Sequence, residues 1–221
     1  MQRRVEPEIL DQLPFDDPVA QRNRRDIARF NSLMGNFRWI RDQLAAAAPL
    51  PFRGKILELG AGLGDLALHL RDQGIIDADT DYRGLDICPR PDAWPDTWTW
   101  HQEDLLAFER TDGAPDLIVA NLILHQFETG DLGGPIGRLC RSATRIIAAE
   151  TARRRRHRWQ LPLAVLLGMH PVSFHDARVS IQGGFRHNEL PQLLGLTGPA
   201  WQTDIKHTFL GGYRMTAHRV S

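Results

Sequence analysis

Cysteine is scarce in this chain: its 221 residues include two, Cys88 and Cys140. Neither stands in a CxxC or other metal-ligand spacing, so nothing supports a disulfide framework or a zinc site, and no metal is expected. A reducing, cytoplasmic setting fits. Net charge is missing as well, because Lys+Arg 27 balance Asp+Glu 27; no overall field draws the chain to nucleic acid or anionic lipid. Long hydrophobic runs are also lacking. The longest, from Trp159 to Met169, is interrupted by Gln160 and Pro162 and is too short to span a bilayer. The opening MQRRVEPEILDQLPF has neither the apolar stretch nor the small-residue cleavage site of a secretory signal. A soluble protein with no membrane partner is expected, and its length suits one substantial domain with elaborations.

The first fifty residues are charge-rich and read as helices, with Pro14 and Pro18 interrupting them and Pro49-Leu50-Pro51 as a stiff exit. A helical cap over residues 1–51 and a core domain over 52–221 are expected. From Lys55 the texture becomes that of βα units. Short strands are predicted at Ile56–Gly60, Tyr82–Asp86, Trp98–Gln102, Asp116–Asn121 and Thr144–Glu150, with helices over Leu63–Arg71 and Asp131–Ser142. An insertion then follows: the basic run Arg153–Arg158, an apolar helix over 159–168, and a loop carrying His170, Pro171 and His175. After a short helix at His187–Leu194, two strands over Ala200–Phe209 and Tyr213–Arg219 meet at Gly211-Gly212.

The most informative stretch is ILELGAGLGDLALHL, a strand running through Gly60-Ala61-Gly62-Leu63-Gly64 into a helix. Alternate glycines let the backbone turn sharply and approach a ligand, while the helix end offers unpaired N–H groups to an anion. In a dinucleotide-binding GxGxxG counted from Gly60, the third glycine would fall at Asp65, where a carboxylate opposes a pyrophosphate; no GK[ST] follows for a P-loop. A ligand bearing one carboxylate and one ammonium group suits the loop better, with Glu58 or Asp65 near the amine.

An acidic strand residue before GxGxG resembles the first motif of the class I S-adenosylmethionine-dependent methyltransferases, and the resemblance covers roughly residues 53–150. It implies an α/β, Rossmann-like fold: a seven-stranded, mostly parallel sheet with helices on both faces, an N-terminal helical cap and an insertion after the fifth strand. It also implies S-adenosylmethionine as cofactor. Glu58, Gly60, Ala61, Gly62, Gly64 and Asp65 would then hold the amino-acid end, and Asp86 both ribose hydroxyls. Ile87 or Cys88 would lie near the adenine edge, Asp104 would accept from the adenine amine, and Leu105 would pack on its ring. Asn121 to Phe127, leaving the fourth strand, would face the transferred methyl group. The segment PEILDQLPFDDPVAQRNRRDIARFNSLMGN is similar to the helical lead of small methyltransferases associated with bacterial polyketide pathways, which would bring Arg24, Arg25, Asn31 and Arg38 over the cofactor.

Methyl transfer from a sulfonium rests mainly on positioning. For a hydroxyl acceptor a base adds about 10²–10⁴-fold, and His125 is the candidate; ordering the loop is its competing role. The expected activity is methylation of a small, apolar or aromatic metabolite at oxygen, with a homodimer possible and no nucleic acid partner. Two other readings stand beside it. RNA or protein methylation has only the Arg153–Arg158 run in its favour, and no Asn/Asp-Pro-Pro-Tyr motif occurs, since Asn121 leads into Leu122-Ile123-Leu124. The remaining possibility is a cofactor-binding protein without turnover.

Overall fold

The computed structural model describes residues 2–109, 113–155, 157 and 168–220. At its centre lie β1 (Ile56–Leu59), β2 (Tyr82–Asp86), β3 (Thr99–Gln102), β4 (Leu117–Asn121), β5 (Arg145–Thr151), β6 (Trp201–His207) and β7 (Gly212–Arg219). They form one seven-stranded sheet in the order β3-β2-β1-β4-β5-β7-β6. The ladders from β3 through β5 are parallel, and β7 runs antiparallel to both of its neighbours. This is the mostly parallel α/β sheet expected from the motifs.

Successive strand residues face opposite sides, so the sheet has two cores. Leu57, Leu59, Ile118, Ala120 and Ile146 pack with Leu132, Ile136, Cys140, Leu190 and Leu194. Ile56, Tyr82, Val119 and Ile147 pack on the other side with Ile40, Leu44, Leu66 and Leu70. Helices α2 (Asn36–Ala47) and α3 (Asp65–Asp72) therefore cover one face, and α4 (Thr129–Gly133), α5 (Pro135–Ser142) and α7 (Glu189–Leu194) the other. Burial on both faces is why β4 reads as an apolar run and β1 as one broken only by Glu58. The outer strand β6 alternates exposed with half-buried residues.

Two further helices, α1 (Pro18–Met34) and α6 (Pro171–Gly183), pack together, and α6 also packs against the turn Leu124–Gln126 beyond β4. Pro18 sits in the first turn of α1, where its missing N–H costs nothing, and Asp17 caps that turn by accepting from the Val19 amide at 2.7 Å. Ile40 and Leu44 of α2 belong to the sheet's own core.

Two local expectations are corrected. The segment holding Pro171 and His175 is helical, with His170 as its N-cap, rather than a loop. Its buried positions include Ser173, Asp176 and Gly183, so it carries no apolar stripe to read. The helix expected over Asp131–Ser142 is two helices, because Gly134 breaks it and Pro135 starts the second. The basic run is mixed where it is described: Arg155 is exposed and Arg154 half-buried, while Arg153 is 3% exposed and gives both carboxylate oxygens of Glu189 bonds of 2.7 Å. Arg156, Arg158 and the apolar helix expected over 159–168 lie outside the described residues, except for Gly168. No helix among the described residues is long and apolar enough to cross a membrane.

Ahead of α1, residues 2–17 form a strap across the top of the molecule. Arg3 donates to the carbonyls of Gly183, His125 and Phe127, and the Arg4 amide bonds Gln182 O. Asp176 accepts from the amides of Ile9 (2.8 Å) and Leu10 (3.1 Å) and from Asn23 Nδ2 (2.7 Å). Asp176→Ala would leave three donors without their acceptor. It is expected to lower unfolding free energy by about 2–4 kcal/mol in a urea titration and to speed protease cleavage within the strap.

Candidate functional site

Strand order reverses between β1 and β4, whose neighbouring carboxyl ends leave a crevice. The loops after these two strands form its walls. Gly60 has φ +65°, and a Cβ there would stand 2.6 Å from Ile123 of the opposite loop, so only glycine lets the two loops close up. Gly62, at φ +58°, has open space where a Cβ would be. The crevice is a cavity of about 590 Å³.

That cavity gathers Glu58, Gly60, Ala61, Gly62, Asp65, Asp86, Ile87, Asp104, Leu105 and Asn121. Gly64, expected with them, does not line it and packs against the Trp94 ring instead. Of the four cap residues expected above the site, Arg24 and Asn31 line the cavity, while Arg25 and Arg38 are exposed elsewhere. Asp86 holds the glycine loop in place: its two oxygens accept from the amides of Gly62 at 2.7 Å and Cys88 at 2.8 Å. Asp104 braces its own turn through the Leu106 amide at 2.9 Å. Both carboxylates keep lone pairs for hydroxyl or amine donors.

Glu58 is buried and accepts from the Tyr82 hydroxyl at 2.7 Å. Burial pushes its carboxyl up to about 8, with Asp86 and Asp65 adding to the rise and the Tyr82 bond opposing it. Asp65, at the start of α3, is also raised by burial. Two raised acids together are a place for a cation.

His125 does not line this crevice. It faces a second, apolar chamber of about 340 Å³ that shares Leu10, Ile27, Leu122 and Gln126 with the first. The base expected of His125 requires a neutral imidazole with a free nitrogen. The ring is instead bracketed by carboxylates, Nδ1 2.7 Å from Glu150 Oε2 and Nε2 3.3 Å from Glu8 Oε1. Burial alone would lower its pKa, but the bonds and charges of Glu150 and Glu8 outweigh that and push it up to about 10. His125 is therefore a protonated bridge at neutral pH, and the base assignment does not suit the geometry.

Two partners in this arrangement escaped the sequence reading. Glu150, fully buried at the end of β5, also accepts from the amides of Ile123 at 3.1 Å and Leu124 at 2.8 Å. A charged residue closing the apolar run IIAAE was a signal for it. Glu8 reaches the site from the strap and left no local signal. Between the two cavities sits Leu122, whose φ of +57° is strained for a branched side chain.

The family model of the methyltransferase domain matches residues 30–144, more than half of the chain. The chain belongs to the methyltransferase domain family. No curated protein matches this methyltransferase. Solved structures share its fold. The plantazolicin methyltransferase BpumL in complex with SAH superposes with TM-score 0.68 at 12% identity, covering 96% of this chain and 94% of that one. The magnesium protoporphyrin IX methyltransferase (ChlM) from Synechocystis PCC 6803 with bound SAM gives TM-score 0.58 at 16% identity, covering 93% of each chain. The crevice residues fit the S-adenosylmethionine implied by the sequence motifs: Asn121 Oδ1 is buried there without a hydrogen-bond partner, Gly62 leaves space, and Glu58 awaits a cation.

Two outcomes follow from this geometry. Glu150→Ala strands the His125 cation and two amides, and should cost the methyltransferase about 3–5 kcal/mol of stability; a loss below about 1 kcal/mol would show that the loop holds itself. For Glu58, folding raises the pKa from 4.5 to about 8, so the native state binds the extra proton. Its contribution to stability is full below 4.5 and is lost as pH rises through 8. Thermal unfolding of the ligand-free protein across that window should show this decline, and Glu58→Gln should flatten it.

Proposed function

We propose that this methyltransferase transfers the methyl group of S-adenosylmethionine to a small molecule with an apolar body, at oxygen. The observation that carries the reading is the apolar chamber beside the crevice, with Leu122 and Gln126 lining both. Ile27, Phe30, Met34 and Ile181 wall it, and Phe209, 74% exposed, rims its mouth. Such walls select an acceptor by shape and desolvation. Support also comes from structures of similar fold: the plantazolicin methyltransferase BamL was crystallised with a triazolic desmethylPZN analog and SAH.

In this reading Asp86 takes the ribose hydroxyls, and Asp104 and Leu105 the adenine amine and ring. Ile87 lies along the base, and Glu58, Asp65 and Asn121 receive the amino group. Gly60, Ala61 and Gly62 let the backbone approach the carboxylate end. When bound, the cofactor supplies an electrophilic methyl on a good leaving group. The protein contributes alignment and the exclusion of water. Nucleic acid as acceptor has little support, since Arg153 is committed to Glu189.

Methyl-labelled S-adenosylmethionine incubated with separated small-molecule, RNA and protein fractions of a cell extract tests the acceptor class. Label should enter organic-soluble small molecules; label in RNA or protein alone would overturn the reading. Calorimetry tests the cofactor assignments. Asp86→Ala should weaken binding about 10²-fold, the worth of two hydrogen bonds to a charged group. At pH 7 Glu58 starts protonated and pairing with an ammonium ionises it, so binding should release protons and strengthen as pH rises toward 8. Binding with no proton release would remove Glu58 from the amine site.

A further inference from the structure

Glu8 is 5% exposed and lines the acceptor chamber. Its Oε1 accepts from His125 Nε2 at 3.3 Å and from Ser180 Oγ, and its Oε2 from Gln126 Nε2 at 3.2 Å. A carboxylate has about four acceptor positions. Three are used, which leaves room for one more donor. Across the same chamber Asn23, 1% exposed, gives its amide nitrogen to Asp176 and keeps Oδ1 without a partner. The spare capacity these two residues offer is for a hydrogen-bond donor.

We propose that Glu8 is the residue that meets the acceptor: its carboxylate takes the proton of a neutral hydroxyl group bound in the chamber, while His125 and Glu150 hold it in position. The proposal rests on the small-molecule reading above and adds the acceptor's chemistry. Glu8, the imidazolium of His125 and Glu150 together carry one net negative charge. As the acceptor oxygen spends a lone pair on the new O–C bond, the S–C electron pair stays on sulfur and the hydroxyl proton passes to Glu8. Sulfonium charge and carboxylate charge thus disappear together, which a dry chamber favours because neither then needs solvation.

The same arrangement selects against the other common acceptors. A carboxylate acceptor would face Glu8 as a like charge and has no proton to give Asn23. An amine would pair with Glu8 as ammonium, and in that state it has no lone pair for the methyl group. A hydroxyl donating to Glu8 keeps its lone pairs free. Gln126, which bonds Glu8 and lines both cavities, puts that encounter at the junction with the crevice.

Two probes sharing one apolar body test this: 2-naphthol and 2-naphthoate, each titrated into the protein loaded with S-adenosylhomocysteine. Naphthol is expected to bind more tightly than naphthoate by about ten-fold or more. Excited naphthol surrenders its proton to a contacting carboxylate, so the bound probe should emit as naphtholate. In Glu8→Gln the emission should revert to that of neutral naphthol and the discrimination against naphthoate should vanish, with S-adenosylhomocysteine affinity retained as the sign of a folded site. Glu8→Asp, which keeps the charge, should preserve the preference for naphthol. Neutral emission from naphthol bound to the wild type, or naphthoate binding as tightly, would overturn the role of Glu8 while leaving the chamber as the acceptor site. If S-adenosylhomocysteine binds but neither of the probes does, the chamber reading itself fails and this proposal with it.

Discussion

The site depends on one buried carboxylate. Glu150 ends β5 inside the protein and accepts three bonds from the loop after β4: two from the amides of Ile123 and Leu124 and one from the ring of His125. Water cannot substitute for it at zero exposure. These bonds offset the strain at Leu122, whose backbone otherwise favours another conformation. With Leu122 so held, Ile123 meets Gly60 and closes one side of the cofactor crevice, while His125 turns into the chamber. A single strand-end acid thereby fixes the wall between the two cavities.

A second group of carboxylates holds the strap by a similar logic. Asp176 collects the amides of Ile9 and Leu10 and the Asn23 side chain, and Asp26 collects the His170 amide and the Ser173 hydroxyl. Burial raises the cost of ionising Asp26, and these donors, with Arg22 and Arg29 nearby, more than restore it, leaving its pKa below the ordinary value. The acids on α1 and α6 thus fasten backbone and side chains over the chamber. Asp11, by contrast, lies where burial, Glu8 and Asp176 all act in one direction and lift it to about 6. The interior above the sheet is accordingly rich in negative charge, a setting suited to a cofactor that arrives with a sulfonium.

What was legible in the sequence was local. Gly60, Gly62, Asp86 and Asp104 follow strand ends at fixed spacings, and parallel pairing brings those ends to one side of the sheet. Strands β4 and β5 read as apolar runs because both of their faces are covered. What was not legible depended on distant pairing. Glu8 finds His125 across 117 positions, and no window along the chain signals that meeting. The setting of His125 was hidden for the same reason, since the two acids that bracket its ring are invisible from its own neighbourhood. Helix α6 was hidden because its buried positions mix Ser173, Asp176 and Gly183 with Val179 and Ile181, which leaves no apolar stripe.

The contact of Arg3 with Gly183, separated by 180 positions, ties nearly the whole chain into one ring. Contacts of such separation are entropically expensive to form before the intervening elements exist. During synthesis the opening residues must therefore wait, unanchored, until α6 has emerged. Strands β1 to β5, whose ends carry the crevice residues Glu58, Asp86 and Asn121, are made before α6, whereas β6 and β7 are made after it. The apolar chamber, which draws on both Glu8 and Gly211, closes only when the two ends of the chain have met.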